Sequence, residues 1–260
     1  MTVQRQDLAG LLQWYLDHGV DEAIADAPIN RFEAAATDSG PPIAADRTHQ
    51  TAKSPPPASQ AVASAHQLAA ASTTFDRLID AIESFDGCAL KRTATTTCIY
   101  DGNPGSRIML IGEAPGAQED RQGKPFVGPA GQLLDKMLAA IDLDRGKVLI
   151  TNLLFWRPPG NRTPTADEIA ACLPFVERMV EIVEPKLLIY VGGSAAKAML
   201  DRNEGITRLR GRWFAYAKGT GESIPATAIF HPAFLLRQPG RKKETWRDLL
   251  AIRQKLHTYT

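Results

Sequence analysis

Arg107-Ile108-Met109-Leu110-Ile111-Gly112 is a run of four large apolar residues closed by glycine and followed at once by Glu113-Ala114-Pro115-Gly116. A continuous apolar run of this length, with a glycine–proline turn behind it, predicts a strand buried on both faces. Working outward, Gly131 to Ala140 predicts a helix with Leu133, Leu134, Met137 and Leu138 on one side. Lys147 to Asn152 is the next strand, and Thr165 with Glu168 forms a capping box for a helix through Cys172 to Val183. Lys186 to Val191, Ser194 to Leu200, Ile224 to Phe230 and Arg241 to His257 read as strand, helix, strand and basic helix. Such alternation predicts an α/β fold: a three-layer α/β/α arrangement around a central, mostly parallel four-stranded sheet. In such sheets ligands sit beyond the carboxyl ends of the strands, which directs attention to Gly112–Gly116, to Asn152 onward and to His231.

Upstream of this domain the character changes. Leu8, Leu11, Leu12, Tyr15 and Leu16 recur at helical spacing, so residues 5–18 predict an amphipathic helix within a leader of residues 1–32. Ala, Thr, Ser and Pro then dominate, culminating in Ser54-Pro55-Pro56-Pro57, and residues 33–74 read as a flexible linker. A helix over Phe75–Ser84 opens the compact domain, assigned to 75–260. The net charge of +1 conceals an asymmetry: residues 1–86 hold 5 Lys/Arg against 12 Asp/Glu, and residues 87–260 hold 25 against 17. A basic domain behind an acidic leader suits a polyanionic ligand, although a solvated surface gives the same count. Cys88, Cys98 and Cys172 make no disulfide framework, no apolar stretch is long enough to span a bilayer, and Met1–Gly10 does not read as a secretory signal. A cytoplasmic, nucleoid-associated location is the simplest expectation, with no membrane partner.

Three segments, each directly after a predicted strand, carry the polar and glycine-rich residues. They are GEAPGAQEDRQGKPFVGPAGQLLDKML (112–138), TNLLFWRPPGNRTP (151–164) and HPAFLLRQP (231–239). Singly, each has a bland explanation: glycine and proline mark turns, Asn152 could cap an element, and Phe126 could be core. Together they converge on one edge of one sheet.

These three segments resemble the signatures of family 4 uracil-DNA glycosylases, and the likeness runs from Cys88 to Trp246. The resemblance implies an enzyme of base excision repair that flips uracil out of single- or double-stranded DNA. It hydrolyses the N-glycosidic bond and leaves an abasic site. The alternative is a weakly active or non-catalytic relative that binds damaged DNA and recruits partners. By resemblance Gly112, Ala114, Phe126, Asn152 and His231 form the uracil pocket, with Phe126 stacking on the base. Asn152 would read the pyrimidine edge, and His231 would stabilise charge on the leaving base. Other uracil glycosylases use an aspartate in the first motif where Ala114 stands here, a departure that the resemblance to family 4 implies. Glu113 and Asp120 are the nearby carboxylates that match its motif, either of which would orient water or stabilise the sugar cation. Leu235 and Leu236 resemble a wedge filling the gap left by the everted nucleotide. Arg157, Arg162, Arg237, Arg241, Lys242 and Lys243 would neutralise phosphates.

The family usually carries a 4Fe-4S cluster on four cysteines. Here Cys88 and Cys172 stand at two of those positions, and Lys91 and Trp156 at the others. The expectation is therefore a chain without cofactor or metal. Its leader helix is read either as a docking element for a replication or repair protein or as a segment packed on its own core, and the protein as a monomer.

Overall fold

The computed structural model describes residues 58–217 and 223–258. The helix expected over 5–18, and the expected linker before residue 58, lie outside them.

The run that opened the sequence reading is a strand, β2 (Ile108–Gly112), buried along its whole length. Its side chains alternate between two cores: Met109 and Ile111 face one, Ile108 and Leu110 the other. Both faces are covered, which is why the run has no polar alternation. β3 (Leu149–Asn152) and β4 (Leu187–Val191) flank β2 in parallel, with Gly112 level with Asn152 and Ile108 level with Leu187. β6 (Ser223–Ile229) continues the sheet in parallel beside β4.

Two further strands lie at the edges, so the described residues form a six-stranded sheet of order β1-β3-β2-β4-β6-β5 rather than the expected four. β1 (Tyr100–Gly102) runs antiparallel to β3, and β5 (Trp213–Ala217) antiparallel to β6. Edge strands bury little: β1 is half-buried throughout, and β5 alternates between exposed and half-buried. β1, Tyr-Asp-Gly, leaves no apolar run in the sequence, whereas β5 is the aromatic-rich run Trp213-Phe214-Ala215-Tyr216-Ala217, which the expected four-stranded sheet omits.

Nine helices cover the sheet among the described residues. They are α1 (Ala58–Ala71), α2 (Phe75–Ser84), α3 (Ala117–Gln122), α4 (Pro129–Ala139), α5 (Ala166–Val183), α6 (Gly193–Leu200), α7 (Ile206–Leu209), α8 (Pro232–Arg237) and α9 (Lys242–Leu256). α1, α2 and α5 pack on one face, and α4 and α9 on the other. The capping box at the start of α5 is formed: Thr165 Oγ1 accepts from Glu168 N at 3.2 Å, and Glu168 Oε2 accepts from Thr165 N at 2.9 Å.

α1 corrects the linker boundary. Alanine and serine promise little apolar area, which is why the composition suggests flexibility, yet Ala61, Ala65 and Ala69 form a buried stripe against α5. Alanine is the best helix former, and its small side chain lets two helix backbones approach closely. Arg178 Nε ties the end of α1 to α5 through Ser72 O at 2.9 Å. The compact unit therefore already includes residue 58.

The chain crosses from β2 outward to β3, then returns past β2 to β4. The connections leaving β2 and β4 diverge at that point and open a crevice at the carboxyl edge.

Candidate active site

A cleft of about 360 Å³ occupies that crevice, lined by residues of all three motif segments. Glu113, Ala114 and Phe126 enter from beyond β2, Asn152 from the end of β3, and His231 from beyond β6. Phe126 and His231 have their ring centres 5.5 Å apart and their planes 29° from parallel.

Gly112 makes room for this grouping. A Cβ there would stand 2.3 Å from Asn152 Oδ1 and 2.6 Å from Phe126 Cζ. Phe126 itself has φ 56°, a left-handed conformation that costs a bulky residue about 1–3 kcal/mol. Gly131 accommodates it from the first turns of α4, where any side chain would collide with the Phe126 carbonyl.

Asn152 is 1% exposed, and its Oδ1 has no hydrogen-bond partner among the described residues. A buried carbonyl oxygen left unmet costs about 1–3 kcal/mol. Within the cleft wall, Asn152 Oδ1 is therefore an acceptor available to a ligand that donates a hydrogen bond at that position.

His231 caps the N-terminus of α8, and its Nδ1 accepts from Ala233 N at 3.1 Å. That bond assigns the proton of the neutral ring to Nε2. Burial pushes the imidazole pKa down to about 4, helped by the charge of Arg237 and opposed in part by Glu119. At neutral pH the ring is an uncharged donor.

Glu113 is held by Ser194 in the first turn of α6, whose Oγ donates to Oε2 at 2.7 Å. Asp120, the other expected carboxylate, lies outside the cleft lining and does different work. It is 4% exposed and accepts from Thr95 N at 2.8 Å, Thr95 Oγ1 at 2.9 Å and Thr96 N at 3.2 Å. Its neighbour Glu119 faces the cleft instead, accepting from Val127 N at 2.9 Å and Gly128 N at 2.8 Å. Consecutive helical residues point about 100° apart, so only one of the two could turn inward. Asp120 is thus tied to Thr95 and Thr96 while Glu119 lines the cleft, a distinction set by the six-residue helix α3, which has no apolar periodicity to announce it. Glu119 in the cleft lining and Ser194 behind Glu113 are polar residues that the sequence pattern did not single out.

The same geometry separates Leu235 from Leu236. Leu235 is 1% exposed and packed in the core with Leu134 and Leu249, so it cannot be a wedge, whereas Leu236 is 45% exposed. Arg162 and Arg237 line the cleft mouth. Arg162 also pairs with Glu168 at 2.5 Å, Arg157 donates to Asn161 Oδ1 at 2.8 Å, and Arg241 pairs with Glu244 at 2.6 Å. Lys242 and Lys243 are exposed at the start of α9.

A family model described as the uracil DNA glycosylase superfamily matches residues 99–250. The type-4 uracil-DNA glycosylase of Pyrobaculum aerophilum is 36% identical over 179 residues, covering 67% of this chain and 91% of that protein. That of Sulfurisphaera tokodaii is 35% identical over 186 residues, covering 70% and 84%. That of Thermotoga maritima is 36% identical over 179 residues, covering 68% and 90%. The chain belongs to the type-4 uracil-DNA glycosylases.

The cluster implied by that family meets a poor donor set in this glycosylase. Cys88 and Cys172 are buried thiols in mutual contact, and their hydrogen bond together with burial pushes the Cys172 pKa well up. At the third position Trp156 is 1% exposed, with Nε1 donating to Thr97 Oγ1 at 3.2 Å. Lys91 Nζ, at the second, donates to Glu83 O at 2.6 Å and Asp86 Oδ1 at 2.8 Å. Two thiols, a packed indole and a committed ammonium do not fit a cluster that needs four ligands, ordinarily thiolates.

Proposed function

We propose that this glycosylase draws uracil from DNA into the cleft, stacks it on Phe126, and hydrolyses its N-glycosidic bond to leave an abasic site. The observation that carries this reading is the unmet, buried Oδ1 of Asn152 beside the Phe126 ring. Uracil offers an N3–H donor to that oxygen and an O4 acceptor to the same amide's Nδ2. Cytosine offers a bare N3 and an amino group, which leaves both partners wrong. A site built around a required hydrogen bond can reject the analogue lacking it by about 10⁴–10⁵.

Cleaving the bond leaves negative charge on the departing base. His231, neutral and donating from Nε2, stabilises that charge at O2; one such preorganised donor is worth about 10²–10³ in rate. Glu113, held by Ser194, is placed to orient the attacking water or to stabilise the cationic sugar. Leu236 fills the vacated stack, and Arg237, Arg162, Arg157, Lys242 and Lys243 meet phosphates along the cleft mouth and α9.

The catalytic groups work without iron, because Glu113, Asn152 and His231 stand apart from Cys88 and Cys172. Purified protein is expected to hold no stoichiometric iron and to show no cluster absorbance, and equimolar iron with visible absorbance would overturn that assignment.

A uracil-containing oligonucleotide incubated with the protein and then treated with alkali is expected to be cut at uracil. A wild type no faster than His231→Ala would remove the catalytic assignment. Uracil-specific binding without base release would favour a damage-binding relative instead.

A further inference from the structure

Phe126 holds a backbone conformation that an aromatic residue leaves unless its surroundings over-determine it. Two charged side chains from elsewhere in the fold supply that constraint by holding four consecutive residues. Arg145 opens the short 3-10 turn Arg145–Lys147 ahead of β3. It donates from Nη1 to Pro125 O at 3.3 Å and from Nη2 to Phe126 O. Glu119 accepts from the next two amides, Val127 N and Gly128 N.

Arg145 is itself fixed on two sides. Its Nη1 lies 2.5 Å from Asp101 Oδ2 on β1, and its Nε lies 2.8 Å from Asp135 Oδ1 on α4. The end of β1 closes on the Arg145 turn at Gly102, where a Cβ would stand 2.7 Å from Arg145 O. Arg145, Asp101 and Asp135 all stand outside the cleft lining.

We infer that Arg145 is a positioning residue that sets the plane of the Phe126 ring by gripping the carbonyls of Pro125 and Phe126, with Asp101 and Asp135 fixing its fork. The inference rests on the reading that Phe126 stacks on the base. A guanidinium suits the task because its planar fork directs several donors at once, two to carbonyls and two to carboxylates. Lysine offers one compact ammonium and cannot span the four oxygens. With the grip released, residue 126 relaxes toward right-handed backbone, and the ring leaves the plane against which the base lies.

A double-mutant cycle tests this, with kcat and KM measured on a uracil-containing single-stranded oligonucleotide for Phe126→Ala, Arg145→Ala, Arg145→Lys and the paired variants. Arg145→Ala is expected to lower kcat/KM by about 10-fold or more, the scale of the strain it holds. In the Phe126→Ala background the same change is expected to cost nothing further, because the ring through which it acts is gone. Arg145→Lys, which keeps a cation beside Asp101, runs the same cycle should the alanine variant fail to fold, and is expected to lose most of the same activity. An equal fold-loss from Arg145 changes in both backgrounds would overturn the inference while leaving the stacking reading intact. A Phe126→Ala variant with unchanged kcat/KM would sink the stacking reading, and this inference with it.

Discussion

Replacing Gly112 by alanine adds one methyl group at the point where base reader and stacking ring meet. That methyl would stand 2.3 Å from Asn152 Oδ1 and 2.6 and 2.7 Å from two carbons of the Phe126 ring. Ordinary contacts between such atoms begin near 3.5 Å, so the amide and the ring must each retreat by about 1 Å. A misplacement of that size typically costs about 10² in rate, or about 2.7 kcal/mol of transition-state stabilisation. Gly112→Ala is therefore expected to lose about 100-fold in single-turnover uracil release. Gly105→Ala, where the nearest atom lies 3.4 Å away on a distant loop, is the control expected to retain full activity. Thermal melts of both variants separate a displaced site from an unfolded one. A folded Gly112→Ala enzyme with wild-type single-turnover rates would refute the convergence of Asn152 and Phe126 on one base.

Asn152→Ala removes a buried acceptor that no described residue meets, so uracil release is expected to fall at least about 100-fold while urea melts show stability equal to or above wild type. His231 stays neutral in the folded protein down to about pH 4, whereas an unfolded histidine takes up its proton near pH 6.5. Unfolding thus binds a proton within that window, so stability is expected to fall as pH drops from 6.5 towards 4. Urea melts at pH 7 and pH 5 would show this, and a His231→Gln variant should show a shallower dependence. Leu235→Ala is expected to cost about 2–5 kcal/mol of stability, as a large-to-small change in the core does. Leu236→Ala should leave urea melts unchanged and slow release from duplex DNA more than from single strands.

The parts of this fold legible in the sequence are those buried from both sides. β2, β3, β4 and β6 carry apolar runs that no exposed element would tolerate, and α5 announces its start through Thr165 and Glu168. Of the edge strands, β1 was illegible because it is only three residues long and contains Asp101 and Gly102, whereas β5 is legible as the aromatic-rich run Trp213–Ala217 and the four-stranded expectation passed over it. α1 was hidden because its contact surface is alanine, whose value lies in close approach rather than in area. Within the site, Phe126, Asn152 and His231 were legible as residues of three ordered motifs. The finer choices, Glu119 against Asp120 and Leu236 against Leu235, turned on two six-residue helices with no apolar periodicity long enough to detect.

The alanine stripe of α1 matters to anyone who would shorten this protein. A boundary drawn from composition, at residue 75, would strip α5 of its companion and leave an oily flank open to water, where copies could adhere to one another. A shortened form that begins before residue 58 keeps that flank sheathed and is the one expected to remain dispersed at high concentration.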